Sequence, residues 1–252
     1  MPDWLGLEDR RVLVAGGAGT LGSALVRGFL DVGAQVGVID LDGERINELN
    51  ADVDWRLRST VTADLRDALS SREAIEQASE QLGGIDVAVH CVGINDRKAI
   101  EQYSDAEWEA IITTNLSSAF WLTRAVAPQM RSQKSGRLIF VSSVAGRSGH
   151  RHHGPYAASK AAVNQLMRVT AHEYAAAGVT VNAVAPGYMD TALTERYLAE
   201  DPARREALLE LIPAHRFGRL EEVVGPVLFL ASRQASFVTG HVLYVDGGRT
   251  IL

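Results

Sequence analysis

The sequence is poor in cysteine and in long apolar runs. Its 252 residues include one cysteine, Cys91, which excludes an internal disulfide and favours a reducing compartment. No apolar run approaches the roughly 18 residues needed to span a bilayer, and the N-terminus lacks the charged and apolar regions of a signal peptide. A formal net charge of −6 argues against a general nucleic-acid or anionic-membrane surface. We therefore expect a cytoplasmic protein that binds neither membranes nor nucleic acids.

What is present is an ordinary globular composition, 46% hydrophobic and 22% charged, in which short β-rich runs alternate with amphipathic helical stretches. We predict strands at Arg11–Ala15, Gln35–Asp40, Trp55–Ala63, Ile85–His90, Gly136–Ser142, Val179–Val184 and His241–Val245. We predict helices at Leu21–Val32, Gly43–Asn50, Arg66–Leu82, Asp105–Gln133, Tyr156–Ala177, Thr194–Leu211 and Glu221–Ala231. This alternation predicts one α/β domain over residues 1–252, a Rossmann-type, doubly wound parallel sheet of about seven strands with helices on both faces.

A glycine-rich turn joins the first predicted strand to the first predicted helix. In it, Gly17, Gly19 and Gly22 form the pattern G-x-G-x-x-G. Residues without side chains let the turn close and let backbone N–H groups approach a pyrophosphate at the positive end of the following helix. A purely structural turn is the alternative, but the strand–turn–helix context favours a dinucleotide site.

Asp40 ends the second predicted strand, 18 residues after Gly22. A carboxylate there can accept hydrogen bonds from both adenosine ribose hydroxyls, whereas the 2′-phosphate of NADP would meet a like charge. Neither the glycine turn nor the residues directly after Asp40 offer Arg or Lys, and Arg45 is the nearest downstream cation. The expected cofactor is therefore NAD; the alternative is that Asp40 merely caps the next helix.

Tyr156 and Lys160 are four residues apart at the start of a long predicted helix, so they share one face. A phenolate acting near neutral pH must be stabilised by about 3 pKa units, or roughly 4 kcal/mol. An exposed i,i+4 pair contributes only ~0.2–0.5 kcal/mol. A catalytic pair would therefore need a sheltered site and a second positive charge, such as an oxidised nicotinamide ring. An ordinary helix surface is the alternative.

These motifs, with several others, resemble the short-chain dehydrogenase/reductase family over nearly the whole chain. The further matches are Asp64–Leu65, Gly93, Asn115, Ser142–Gly146, Asn182–Gly187 and Val245–Gly248. The resemblance implies a catalytic tetrad of Asn115, Ser143, Tyr156 and Lys160. It also implies a cofactor site made of Gly16, Gly17, Gly19, Thr20, Leu21, Gly22, Asp40, Asp64, Leu65, Gly93, Tyr156, Lys160, Pro186, Gly187 and Thr191.

The resemblance assigns a role to each member of the tetrad. Tyr156, as phenolate, would take the proton of a secondary alcohol while hydride leaves its carbon for the nicotinamide. Ser143, which lies 13 residues before the tyrosine, would hold the same oxygen. Lys160 would lower the pKa of the phenol and bind the nicotinamide ribose, and Asn115 would hold a water in a proton relay.

Two places depart from the family pattern. Ala15 and Thr20 replace the threonine and the middle glycine of the usual T-G-x-x-x-G-x-G, and His90 and Cys91 stand where two asparagines are usual. The glycine spacing matches larger sugar-nucleotide epimerases, but those carry an extra C-terminal region for which 252 residues leave no room. We expect Cys91 to be a buried apolar side chain, and His90 to hold its strand less well than asparagine.

The segment before Tyr156 is unusually basic for a chain of negative net charge. With the segment after Gly93 and the region after Pro186–Gly187, it supplies the candidate substrate residues Asn95, Arg97, His150, Arg151, His153 and Tyr188. Convergent cations attract a carboxylate or phosphate, which favours a small anionic substrate. A solvated loop and a subunit contact are the alternatives. No metal is expected, because no acidic or cysteine ligand accompanies the histidines.

Three segments, Gly93–Lys98, Pro186–Met189 and Ile212–Arg216, resemble gluconate 5-dehydrogenases and related sugar-acid dehydrogenases. The expected reaction is NAD-dependent interconversion of a secondary alcohol and a ketone on a sugar acid or polyol. A 3-oxoacyl-carrier-protein reductase is the competing enzyme, and a non-catalytic NAD-binding protein is the alternative from another class.

Residues 188–215 are expected to contain a flap that closes over the substrate, or else a permanently docked helix. Members of the family are usually tetramers that pair their long helices. The corresponding helices are Asp105–Gln133 and Tyr156–Ala177, so a homotetramer is expected.

Overall fold

In the computed structural model, the chain forms one seven-stranded parallel sheet with helices on both faces. The structure describes residues 3–191, 194, 198 and 202–251. The strands are β1 (Arg11–Ala15), β2 (Gln35–Asp40), β3 (Ser59–Thr62), β4 (Val87–His90), β5 (Gly136–Val141), β6 (Val179–Pro186) and β7 (Val242–Val245). They lie in the order β3-β2-β1-β4-β5-β6-β7, and every neighbouring pair is parallel. The predicted Rossmann-type fold is confirmed.

The helices connect successive strands. In the described parts of the chain they are α1 (Thr20–Asp31), α2 (Gly43–Asp52), α3 (Ala68–Leu82), α4 (Asp105–Ile112), α5 (Ser118–Gln133), α6 (Gly154–Tyr174), α7 (Pro202–Glu210) and α8 (Glu221–Ala231). A π-helical turn, Thr113–Ser117, joins α4 to α5. The long helix predicted over Asp105–Gln133 therefore contains one widened turn, which a 3.6-residue hydrophobic period does not reveal.

Alternate residues of each strand build two apolar layers, one on each face of the sheet. In β1, Leu13 packs with α3, α5 and α6, whereas Val12 and Val14 pack with α1, α2 and α8. All three side chains are fully buried. Each such side chain contributes about 1.5–3 kcal/mol through removal from water, so the sheet is held from both faces.

The third strand is shorter than the predicted Trp55–Ala63. Asp54 and Trp55 have φ values of 54° and 56°, in the left-handed region that a strand does not use. The strand consequently begins at Ser59. The predicted helix Thr194–Leu211 falls partly outside the described residues, and α7 accounts for its C-terminal part.

The connection from β3 to β4 carries the chain from one half of the sheet to the other. As a result, the strand order reverses between β1 and β4, which are neighbours in space but not in sequence. In doubly wound sheets the ligand crevice lies at this switch point, beyond the carboxyl ends of the strands. The ends of β1, β4, β5 and β6 therefore place Ala15, His90, Val141 and Pro186 around one crevice. No helix within the described residues combines the length and the apolar character that a membrane crossing requires.

Candidate active site

The glycine turn after β1 packs against the end of β4. The Gly16 N–H donates to the carbonyl of Ile39 at 2.8 Å, and Gly16 has a φ of 78°. A Cβ on Gly16 would lie 2.9 Å from the carbonyl carbon of Cys91, and a Cβ on Gly22 would overlap the carbonyl oxygen of Gly16. Because these neighbours are backbone atoms that cannot move aside cheaply, only glycine fits at either position.

Helix α1 begins directly at this turn with its first N–H groups uncapped by side chains. Its N-cap residue is Gly19, which has no side chain to accept a hydrogen bond, and the first turn contains no acidic residue. Gly19, Thr20, Leu21 and Gly22 all line the main cavity. The unpaired N–H groups and the helix dipole therefore fit the pyrophosphate of a dinucleotide, as the sequence analysis expects.

A second, smaller cavity adjoins the turn and suits the adenosine half of such a cofactor. It has a volume of about 140 Å³ and contains the predicted residues Asp40, Asp64 and Leu65. One carboxylate oxygen of Asp40 accepts from the Ala18 N–H at 2.9 Å, so the residue both faces the cavity and fastens the glycine turn. The lining also includes Arg66, which the sequence analysis missed.

The cations near this smaller cavity are paired with carboxylates. Arg66 donates to Asp64 through its Nε and through one of its two terminal nitrogens, the terminal one at 2.7 Å. The hydrogen bond from Arg66 is the largest of the effects that lower the pKa of Asp64. Arg45 lies 3.4 Å from a carboxylate oxygen of Asp42. A 2′-phosphate would have to compete with these carboxylates for either guanidinium.

The main cavity, of about 390 Å³, collects most of the residues singled out from the sequence. The predicted residues in its lining are Gly16, Gly19, Thr20, Leu21, Gly22, Gly93, Asn95, Arg97, Ser143, His150, His153, Tyr156, Lys160, Pro186, Gly187, Tyr188 and Thr191. Gly16 and Ile94 belong to the linings of both cavities, so the two adjoin. A groove of about 540 Å³ between α3 and α5 contains none of the predicted site residues.

Three predicted residues lie outside both linings. Gly17 packs under the turn, where a Cβ would meet Val38. Asn115 is fully buried and acts through its neighbours. Arg151 is exposed, and its backbone carbonyl accepts a hydrogen bond from His153 Nδ1 at 2.8 Å. Its side chain lies outside the linings of both cavities, and its assignment as a substrate residue remains a prediction.

Lys160 is buried beneath Tyr156 on the first turns of α6. Its Nζ donates to the Val141 carbonyl at the end of β5 at 2.8 Å, and it lies 5.8 Å from the centre of the Tyr156 ring. Burial lowers the pKa of Lys160 to about 8. A Cβ on Gly93 would approach this Nζ to 3.2 Å, so the residue after β4 leaves space for the ammonium.

One charge that acts on Tyr156 was not proposed from the sequence. Burial raises the pKa of Tyr156, while a hydrogen bond with Ser143 and the positive charge of Arg97 lower it; the net shift is upward. Arg97 thus supplies a positive charge that favours the phenolate.

Asn115 holds three segments together from the π-helical turn. Its side-chain oxygen accepts from the Ile94 N–H at 2.8 Å. Its Nδ2 donates to the Ile94 carbonyl and to Ser159 Oγ, each at 3.0 Å. Ser159 Oγ in turn donates to the carbonyl of Tyr156 at 2.7 Å. The amide therefore connects the loop after β4 to the helix that carries the Tyr–Lys pair.

His90, at the end of β4, also contacts the helix that follows the π-helical turn. It is fully buried, and its Nε2 lies 2.8 Å from Ser118 Oγ. Ser118 also donates to the carbonyl of Thr114, within the π-helical turn. Ser118 Oγ has a single hydrogen, so His90 is the donor of its own contact and carries its proton on Nε2. The histidine thereby fixes the π-helical turn to the end of β4. The sequence analysis expected it to hold its strand less well than asparagine would.

Four rings form one wall of the main cavity. Their centres follow one another at 6.0 Å from Tyr156 to His153, 5.8 Å from His153 to His150, and 6.3 Å from His150 to Tyr188. Burial is the main cause that lowers the pKa of both histidines, and that of His150 falls to about 4. The wall is therefore built of side chains that are uncharged near neutral pH.

Only part of the predicted flap can be placed. Tyr188, Met189 and Thr191 line the main cavity, together with Thr194. The Thr191 hydroxyl donates to that of Thr194 at 3.1 Å. Residues 192–193, 195–197 and 199–201 lie outside the described residues, so the flap remains a prediction.

Comparisons with known proteins agree with this geometry. The family model described as Enoyl-(Acyl carrier protein) reductase matches residues 16–250. Gluconate 5-dehydrogenase of Gluconobacter oxydans is 32% identical over 252 residues, covering 99% of this chain and 98% of the relative. The 3-oxoacyl-[acyl-carrier-protein] reductase of Thermotoga maritima is 37% identical over 248 residues, covering 97% and 99%.

A solved relative shows that the similarity extends to the backbone. The crystal structure of a gluconate 5-dehydrogenase from Burkholderia cenocepacia, in complex with NADP and tartrate, matches with a TM-score of 0.93 and 32% identity. The match covers 99% of this chain and 98% of that one. With the glycine turn, the carboxyl-edge crevice and the Tyr–Lys pair, these matches lead to one conclusion: the chain belongs to the short-chain dehydrogenase/reductase family, whose members are oxidoreductases.

Proposed function

We propose that the protein is an NAD-dependent oxidoreductase that interconverts a secondary alcohol and a ketone on a sugar acid. The observation that carries this proposal is the meeting, in one cavity, of the uncapped end of α1 with Ser143, Tyr156 and Lys160. Two relatives are named gluconate 5-dehydrogenases, and one of them was solved with the dicarboxylate tartrate. An anionic sugar acid suits a cavity whose lining includes Arg97.

The side chains divide the chemistry in the following way. When bound, NAD supplies the hydride acceptor for oxidation, and NADH the donor for reduction. Tyr156, as phenolate, accepts the carbinol proton during oxidation and returns it during reduction. Ser143 Oγ accepts from the Ala145 N–H at 3.1 Å, and its hydroxyl, which hydrogen-bonds with Tyr156 in this structure, would donate to the substrate oxygen. Lys160, fixed by the Val141 carbonyl, presents two further hydrogens to the cofactor ribose and the phenol.

The proton relay assigned to Asn115 meets a constraint. Both hydrogens of its Nδ2 are engaged, by Ile94 and by Ser159. The side chain therefore has no donor left for a water, and only the second lone pair of its oxygen could accept from one. We propose that Asn115 serves the relay by positioning α6 through Ser159.

Replacing Tyr156 with phenylalanine tests the acid/base assignment. We expect kcat to fall by about 10²–10⁴-fold, the usual contribution of a positioned proton donor, while NADH still binds. Steady-state rates and the fluorescence of bound NADH measure the two effects. Tyr174→Phe, the same change at the far end of α6, is the matched control. Turnover near the wild-type rate in Tyr156→Phe would remove the tyrosine from the mechanism.

Specificity for NAD is proposed on the strength of Asp40. Its carboxylate faces the smaller cavity, and the nearby Arg66 and Arg45 are paired with Asp64 and Asp42. Three solved relatives contain NADP, so the proposed preference for NAD rests on Asp40 in this chain and not on those relatives. The single cysteine of the chain favours a reducing compartment and thus the cytoplasm.

Asp40→Ala should shift the cofactor preference towards NADP. Loss of charge-assisted hydrogen bonds to the ribose should raise the KM for NAD about 10- to 100-fold, and the KM for NADP should fall as the like charge disappears. Asp52→Ala, which removes an exposed carboxylate at the other end of α2, is the control and should leave the ratio unchanged. A wild-type enzyme that prefers NADP would overturn the assignment.

The second candidate function is reduction of a 3-oxoacyl thioester, since one relative with that activity in its name is 37% identical. An assay with NADH on 5-ketogluconate and on acetoacetyl-coenzyme A separates the two. We expect kcat/KM to favour 5-ketogluconate, because the cavity is small and flanked by Arg97. Preference for the thioester would establish the second function, and activity on neither, with NADH binding retained, would favour a non-catalytic NAD-binding protein.

A homotetramer is proposed from the apolar side chains that three helices leave exposed. They are Trp108 on α4, Phe120 on α5 and Val169 on α6. Sedimentation equilibrium should give four times the chain mass of 27.2 kDa. Val169→Glu should yield smaller species, whereas Leu69→Glu, at an exposed apolar residue of α3, should not. A wild-type mass of one chain would rule the tetramer out.

A further inference from the structure

Tyr103 joins two segments of the chain that border the main cavity, the segment after β4 (residues 94–98) and the turn before α6 (residues 150–153). Its hydroxyl lies 2.7 Å from the carbonyl oxygen of Asp96 in the first segment and 3.3 Å from that of His152 in the second. A phenol has one hydrogen, so the two carbonyls share it, and the shorter contact is the stronger one. The hydroxyl therefore ties together two stretches that are distant in sequence.

Each of these segments supplies part of the cavity wall. The lining residues include Ile94 and Asn95 from the segment after β4, and His150 and His153 from the turn before α6. The Asn115 amide fixes the start of the first segment through both backbone groups of Ile94. Tyr103 holds the same segment further along, at Asp96. The separation of the two parts of the wall is therefore set partly by a residue that is not in the wall.

The turn before α6 has a backbone that requires support. The His153 N–H donates to the His150 carbonyl at 3.3 Å, which closes a turn of four residues. The third of them, His152, has a φ of 65°, in the left-handed region that residues with a side chain rarely adopt. Such a conformation costs free energy and persists only where neighbouring contacts hold it. The Tyr103 hydroxyl contacts the carbonyl of this same residue, so it is one of the contacts that hold the turn.

The ring of Tyr103 is itself held in place at the start of α4. Lys98 Nζ lies 5.3 Å from the centre of the ring, within the range of a cation–π contact, and forms an ion pair with Glu107 of α4. A Cβ on Gly154 would overlap Cδ1 of Ile100, so the short helical turn that precedes Tyr103 packs against the start of α6. Because the ring is fixed from two directions, its hydroxyl is not free to follow either segment.

We propose that Tyr103 is a positioning residue for the substrate, whose hydroxyl holds the segment after β4 and the turn before α6 at the separation that the substrate requires. This inference rests on the proposed function, because it takes the cavity that both segments border as the site of a sugar acid. Tyr103 lies outside the lining of that cavity, so it acts only through the residues that it positions. Loosening the two segments weakens substrate binding and leaves the Tyr156–Lys160 pair in place.

Tyr103→Phe tests this role, because it removes the hydroxyl and leaves the ring. We expect the KM for 5-ketogluconate to rise about 3- to 10-fold, the usual effect of losing one hydrogen bond. The kcat and the affinity for NADH should stay within about 2-fold. Tyr174→Phe, the same change at the far end of α6, is the matched control and should alter none of these values. A lower kcat at unchanged KM, which indicates only a smaller folded fraction, would overturn the proposal, as would unchanged kinetics.

Calorimetric titration of the enzyme–NADH complex with gluconate separates failure of the positioning role from failure of the proposed function. Gluconate and NADH are both the reduced partners of the reaction, so no turnover occurs during the titration. Binding that is about 3- to 10-fold weaker in Tyr103→Phe than in the wild type and in Tyr174→Phe supports the positioning role. Equal binding by all three overturns that role and leaves the proposed function standing. No binding by the wild type overturns both.

Discussion

The carboxamide of Asn115 is the contact on which the active-site geometry depends. It occupies the backbone N–H and carbonyl of Ile94 and the hydroxyl of Ser159, so one side chain fixes the loop after β4 to α6. The amide reaches both because the π-helical turn Thr113–Ser117 displaces it from a regular helical position. An amide with all its hydrogens paired in a buried place is rigid, which is what preorganised proton transfer requires.

Much of the fold follows from local sequence patterns. Apolar runs separated by helical segments predict a parallel sheet, and the limits of β1 and β2 agree with those predicted. The error at β3 arises from Asp54 and Trp55, whose left-handed backbone no apolar pattern encodes. The π-helical turn is similarly hidden, since a single extra residue in one turn hardly alters the hydrophobic period over Asp105–Gln133.

The active site likewise has features that the sequence predicts and features that it does not. The spacing of Tyr156 and Lys160 and the glycines of the turn are sequence features, because helix and turn geometry are local. The partner of Lys160 is a backbone carbonyl, that of Val141, and the charge that acts on Tyr156 belongs to Arg97. The charge of Arg249, which lies about 100 residues further along the chain, acts on His150. Such contacts arise when distant segments of the chain pack together, and no spacing of residue types in the sequence predicts them.

His90 is fully buried and Cys91 is half-buried in the cavity wall beside it, which has a consequence for how the kinetics of this enzyme should be interpreted. Burial lowers the pKa of His90 to about 3 and raises the pKa of Cys91 to about 12. Each side chain lies close enough to Lys160 to feel its charge, yet neither gains nor loses a proton across the range in which enzymes are assayed. Both side chains therefore stay uncharged over this range. An ionisation seen near neutral pH in a rate profile would therefore arise from some group other than His90 or Cys91, and Lys160, whose pKa burial lowers to about 8, is the nearest such group to the phenol.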